Sequence, residues 1–305
     1  MGELRDLIEQ RIAEVRAQRA TTPAVVQVKG GARTGKLPKR QASRAGGAAA
    51  APVAMVADAP ATGLASADVP QAPGKTGLLG REVPWAYSGD TGPANWGLLK
   101  PEFQACLVGR RQSPIDLRDG IPVQLDPIKF DYRPGVIEVS HRDHTVVAVP
   151  EPGQGVQIGG QRYELLHIAF RNPGEVIIDG QQAPMSVHLY HRDAAGQLAV
   201  IAVGITPGEA NDVVQQVWNN LPLERDLSQR SAAAVDLSAL LPASPQHYTY
   251  MGSLTTPPCT EGVLWAVMRQ PVSVSLDQMG VLARLYPYNG RPAQPTHGRL
   301  IKAGQ

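Results

Sequence analysis

Beyond Val83 the chain is written in short segments that alternate apolar and polar residues, and this rhythm leaves few folds open to it. Successive side chains of a strand point to opposite faces, so a period of two marks a strand packed on at least one side. Val136–Ser140, His144–Val149, Tyr163–Phe170, Val187–His191, Leu198–Val203 and Val263–Val267 carry the pattern, separated by Gly, Pro, Asn and Asp. The spacing predicts a mainly β domain with short connections. Two stretches, Asn211–Asn220 and Ser275–Leu285, instead repeat apolar residues every three or four positions and are predicted as helices.

The first quarter of the 305 residues is written differently. It is dominated by Ala, Pro and Gly, and every aromatic residue lies at or beyond Trp85. Residues 1–20 read as an amphipathic helix, with Leu4, Leu7, Ile8, Ile12 and Val15 at helical spacing. A lone helix of that length is marginal in water and needs a surface to rest on. Residues 21–80 read as a linker, basic at first and then rich in Ala, Pro and Gly, expected to be disordered. Residues 1–80 hold eleven Lys/Arg and six Asp/Glu, leaving −3 for the rest of a chain whose total is +2. Eight basic and no acidic residues fall between Arg16 and Arg44. A solvated tail is the plain reading of this run; docking onto an acidic protein, an anionic membrane or nucleic acid is the other. Nothing in the pattern matches a folded nucleic-acid reader. No apolar run reaches transmembrane length, and Glu3, Asp6 and Glu9 interrupt any signal peptide at the extreme N-terminus. The stretch Lys39–Ala59 has the layout of an export signal, though Gly46, Gly47 and Pro52 weaken its middle.

The most specific words of the text are short motifs in a fixed order. Trp85-Ala86-Tyr87 precedes Gly92-Pro93, Trp96, Cys106 and Gln112-Ser113-Pro114-Ile115. Tyr250–Cys259, with its Gly252-Ser253-Leu254-Thr255-Thr256-Pro257-Pro258 interior, leads to Glu261 and Trp265, and Asn289–Pro295 closes the series. In order and spacing these blocks resemble the alpha carbonic anhydrases, over residues 82–303. The resemblance implies a large, mostly antiparallel central sheet of about ten strands with a few short helices and a conical pocket. Two isolated cysteines do not by themselves imply a bond. Cys106 and Cys259, however, stand where secreted members of that family carry a disulfide, which implies a periplasmic or otherwise oxidising compartment. A start without a signal implies the cytoplasm instead.

The same resemblance frames the metal site. Catalytic zinc takes three protein ligands and keeps one position open. In the family two histidines at i and i+2 on one strand, and a third on its neighbour, supply them. Here Pro173, Glu175, Gly180 and Pro184-Met185 fix the frame, and the paired ligand positions hold Ala169 and Arg171. Only His188 falls on a ligand position. Alanine has no donor atom, and a guanidinium stays protonated and repels a dication. Ser186 replaces the carboxylate that orients the third histidine, and His167 takes the amide-bearing position beside the site. Thr255 matches the threonine that contacts the zinc-bound nucleophile, Glu175 the carboxylate that orients it, and His144 the proton shuttle. Val200, Leu254 and Trp265 match pocket walls, with Tyr190 bulkier than expected, and Tyr87 and Thr256 match positions that hold ordered water. His141, His191, His247 and His297 are expected to be surface or structural histidines.

Two functions follow from this reading. The first is a non-catalytic binding or scaffold module without zinc. The N-terminal helix or basic segment would attach it to a protein partner. Arg171, as a buried charge, would need Glu175 or a small oxyanion such as bicarbonate against it. The second is a zinc-dependent carbonic anhydrase hydrating CO2 at a remodelled site built on His188 and His167.

Overall fold

The structure, a computed structural model, describes residues 84–225 and 227–305. The segments read as N-terminal helix, linker and export signal lie outside the described residues. The strands are β1 Asp116–Leu117, β2 Ile121–Val123, β3 Lys129–Asp131, β4 Ile137–Arg142, β5 Thr145–Pro150, β6 Gly155–Ile158, β7 Gln161–Arg171 and β8 Ile177–Ile178. They continue with β9 Gln181–Gln182, β10 Met185–Arg192, β11 Leu198–Pro207, β12 Ser228–Arg230, β13 His247–Ser253, β14 Glu261–Met268, β15 Val272–Val274 and β16 Lys302–Gly304. One sheet runs β12-β4-β5-β7-β10-β11-β14-β13-β16-β2, with β15 on β11, β6 on β7 and β3 on β6. Along that path only β11–β14 and β16–β2 are parallel, so the mostly antiparallel expectation holds with a parallel step near the middle. A small sheet β1-β8-β9 lies apart.

The middle of the sheet explains why Leu198–Val203 of β11 is apolar throughout rather than alternating, while β10 alternates apolar residues with Ser186 and His188. Both are buried on both faces along almost their whole length. On one face lie Ile168, Phe170, Val187, Leu189, Ile201 and Val203, packed with Val213, Val214, Val217 and Trp218 of the helix Asp212–Asn219. Each such side chain contributes roughly 1.5–3 kcal/mol on burial, which holds an eight-residue helix that would not stand alone. Asn211 caps it, its Oδ1 accepting from the N–H groups of Val213 and Val214. The helix Leu276–Leu285 starts at Ser275 with a reciprocal capping box to Gln278. Both predicted helices are thus present, each one or two residues shorter than its sequence signal. Among the described residues no helix is long and apolar enough to cross a bilayer.

On the opposite face, side chains of the other parity gather: Val147, Ala169, Tyr190, Val200, Ala202, Trp265 and Val267, covered by Ile115, Leu117 and Ile301. A third cluster joins Tyr87, Trp96, Cys106 and Cys259. The two cysteines form a disulfide across 153 residues of sequence. One expectation needs correction. His144 is not the first residue of a strand: Asp143 and His144 both have positive φ, +48° and +59°, and form the tight turn joining β4 to β5. Two left-handed residues match the right-handed twist of the strands they join, so the strand begins at Thr145.

Candidate functional site

The site is laid out by the pairing of β7 with β10. Ser186 faces Arg171, His188 faces Ala169, and Tyr190 faces His167 across the antiparallel ladder. The period of two therefore brings all six side chains to one face of the sheet. Ala169 also faces Val147 of β5, while His188 and Tyr190 face Ala202 and Val200 of β11. Val200 in turn faces Trp265 of β14. Expected wall residues Val200 and Trp265 are fully buried here, and the Trp265 indole N–H donates to the Ser253 carbonyl at 3.0 Å.

His188 is completely buried, its ring edge-on to Trp265 at 5.2 Å. The Glu175 N–H donates to Ser186 Oγ at 2.9 Å, so the Ser186 hydroxyl is free to donate to His188 Nε2 at 3.3 Å. That assignment puts the ring proton on Nδ1. His188 Nδ1 lies 3.5 Å from Glu175 Oε2 and 3.4 Å from the Tyr190 hydroxyl. Burial, reinforced by Arg171, drives its pKa well below the usual histidine value.

Arg171 is 3 % exposed. Its Nε is 3.7 Å from Glu175 Oε2, its Nη2 donates to the Tyr190 hydroxyl at 3.3 Å, and its Nη1 donates to the Phe170 carbonyl at 3.4 Å. Glu175 is equally buried, and its Oε1 accepts the Arg291 backbone N–H at 2.6 Å. Burial raises the Glu175 pKa, and the Arg171 charge opposes that rise. Among the described residues, Tyr87 Oη and Arg171 Nε are buried without a hydrogen-bond partner. Thr255 lies within electrostatic reach of both Glu175 and Tyr190.

The remaining expected residues fall around this centre at different depths. The His167 ring stacks on Tyr190 at 4.6 Å, and burial, with Arg171 and Arg142 nearby, lowers its pKa to about 4. Leu254 and Thr256 are half-buried on the loop that carries Cys259, whose N–H donates to the Thr256 carbonyl. His144 is exposed on its turn, against the Trp85 ring at 4.6 Å, and Asn289 Nδ2 donates to its carbonyl at 3.0 Å. His191 and His247 are buried and His141 half-buried, each bonded within the fold: His141 to Tyr286, His191 to Tyr132, and His247 to the Pro245 carbonyl. His297 is exposed. Arg291 was not singled out in the sequence. It is 2 % exposed, and its guanidinium donates to Gln112 Oε1, the Ser113 carbonyl and the Cys106 carbonyl. Its only sequence signal was its place in the closing Asn289–Pro295 motif.

As a metal centre this arrangement fits poorly. Among the described residues no three His, Cys, Asp or Glu side chains converge as a ligand set. His188 has a methyl group opposite it, and the next residue of that row on β7 is a guanidinium. Nδ1, the ring nitrogen on the Glu175 side, carries its proton and meets a carboxylate and a phenol.

The comparisons with known proteins agree on the family. The family model described as eukaryotic-type carbonic anhydrase matches residues 91–305. The carbonic anhydrase of Pectobacterium carotovorum is 36 % identical over 220 residues, covering 72 % of this chain and 90 % of that protein. The alpha-carbonic anhydrase of Thermovibrio ammonificans, solved with the inhibitor sulfanilamide, superposes with a TM-score of 0.69 at 35 % identity, covering 72 % of this chain and 98 % of that one. A hyperthermostable carbonic anhydrase from a hydrothermal vent chimney gives a TM-score of 0.70 at 37 % identity, with 72 % and 100 % covered. Matched by the family model over residues 91–305 and 36 % identical to a relative over 72 % of its length, this chain belongs to the alpha carbonic anhydrase family.

Proposed function

We propose that the chain is a non-catalytic member of its family, kept as a binding or scaffold module. One observation carries the reading: the row opposite His188 offers a methyl group at Ala169 and a cation at Arg171, and Glu175 stands against that cation at 3.7 Å. Zinc needs three neutral or anionic donors, and removing two is far costlier than the 10- to 100-fold loss that follows damage to supporting residues alone. Thr255, Glu175 and His144 then keep family positions without the family chemistry. In this reading the N-terminal amphipathic segment and the basic stretch make the attachment to a protein partner.

The alternative, a zinc centre on His188 and His167, has less to support it. The Tyr190 ring stacks on His167 and its hydroxyl meets His188 Nδ1, so both histidines are engaged through one tyrosine. The finer idea of a small oxyanion such as bicarbonate rests on two unpartnered buried groups, Arg171 Nε and Tyr87 Oη. Glu175 works against it, since the guanidinium already has a counter-charge.

Metal analysis together with a CO2 hydration assay tests the proposal. The expected result is zinc far below one per chain and no hydration above the buffer rate. About one zinc per chain, with hydration that a sulfonamide blocks, would overturn it and restore the remodelled centre. Calorimetric titration with bicarbonate, on wild type and Arg171→Ala, decides the anion.

A further inference from the structure

Glu175 is a carboxylate deep inside the domain, and such a charge persists only with a partner. Its Oε1 takes a backbone N–H from Arg291, while the Arg291 guanidinium is turned to Gln112, Ser113 and Cys106. Its Oε2 faces His188, which full burial beside the Arg171 charge keeps neutral, and Arg171. Arg171 is therefore the cation set against Glu175. It stands in the ligand row itself, two residues from Ala169 on the same face of β7.

We infer that the Arg171 guanidinium is a built-in replacement for the metal cation: it offsets Glu175 permanently, so the domain folds without metal. The inference rests on the non-catalytic reading and says what took the place of the lost ion. A guanidinium suits that task because it stays charged at any working pH and spreads its N–H groups over several acceptors. Here those acceptors are the Tyr190 hydroxyl and the Phe170 carbonyl, with the carboxylate beside them. Removing one member of a buried pair leaves the other uncompensated, whereas removing both is far less costly.

Thermal unfolding of the full chain with EDTA, and again with zinc, tests this. Wild type is expected to unfold at the same temperature in both. Arg171→Met should lose roughly 10 °C in Tm, and Arg171→Met/Glu175→Gln should recover at least half of that loss. Ala169→His/Arg171→His should be unstable in EDTA and regain its Tm on binding one zinc, exchanging one buried cation for another. An Arg171→Met protein as stable as wild type would sink the inference, and so would a double variant that recovers nothing. If Arg171→Met fails to fold, folding of the double variant supports the inference and its failure overturns it. The cycle run in EDTA reads the Arg171–Glu175 pair whatever the zinc content, so its failure is told apart from a zinc-loaded wild type, which would overturn the non-catalytic reading and the replacement with it.

Discussion

Three imidazoles sit where a proton is unwelcome. His188 and His191 are fully buried, His167 lies against Tyr190, and burial lowers the pKa of each, to about 4 for His167 and about 3 for His191. A base whose pKa is depressed by folding binds its proton more readily in the unfolded chain. Its contribution is complete above the ordinary value of 6.5 and is lost as pH falls towards the folded value. Glu175, raised by burial, works in the opposite sense, because the folded state takes up its proton first. Three groups against one leave a net loss of up to roughly 3 kcal/mol per pH unit between about pH 6 and 4. Urea unfolding at pH 7.5, 6 and 5 should give a midpoint that falls steadily; a flat midpoint over that range would contradict the burial assigned to these rings. At this scale the row His167, Ala169 and Arg171 was legible, because side-chain direction in a strand follows from counting by twos. The partner chosen by Arg171 was not. Whether a guanidinium meets Glu175, 3.7 Å away, or an outside anion depends on side-chain torsions that no spacing encodes.

The two helices of the domain were legible from apolar residues every three or four positions, and the structure shows side-chain caps fixing their first turns. Asn211 holds two N–H groups of its helix, reaches the Ala239 carbonyl through Nδ2, and is itself bonded through its backbone to Gln278. Ser275 caps only its own helix, although Gln278 answers it. Asn211→Ala should therefore cost about 2 kcal/mol and Ser275→Ala about 1 kcal/mol, at the high and middle of the range for caps. Denaturant midpoints at constant m-value check the order, and an equal or reversed pair would mean that the bonds of Asn211 to neighbouring elements contribute nothing. Among strands, β7 and β10 were legible because apolar residues recur at every second position, as at Ile168 and Phe170 or Val187 and Leu189, and β11 because Leu198–Val203 is apolar throughout. The short edge strands were not. All of β12 is exposed, as Ser228-Gln229-Arg230, and β2 exists only because Ile121 finds Lys302 at the far end of the chain. Pairing of that kind is decided by tertiary closure, and three residues carry too little periodicity to announce it.

The disulfide joins parts of the domain that lie 153 residues apart in sequence. Cys106 belongs to a short helix packed with Trp96, and Cys259 to the loop that carries Thr255 and Thr256. Around the bond, Gln112 Nε2 donates to the Cys259 carbonyl at 3.1 Å and Arg291 Nη2 to the Cys106 carbonyl at 3.2 Å. Arg291 then hands its backbone N–H to Glu175, so the covalent link and the buried ion pair share one residue. Closing a loop of 153 residues is worth on the order of 5 kcal/mol in the chain-entropy account. Reduction, or Cys106→Ser with Cys259→Ser, should therefore lower Tm by roughly 10–20 °C for a domain of this size. A stabilisation that large matters only where the bond survives, and reducing compartments do not let such bonds persist. Alkylation followed by mass spectrometry, on protein from its native host kept non-reducing, should find both sulfurs blocked to reagent. Two alkylated thiols would mean that the domain stands in its own compartment on its sheet, its hydrophobic clusters and its buried charges alone.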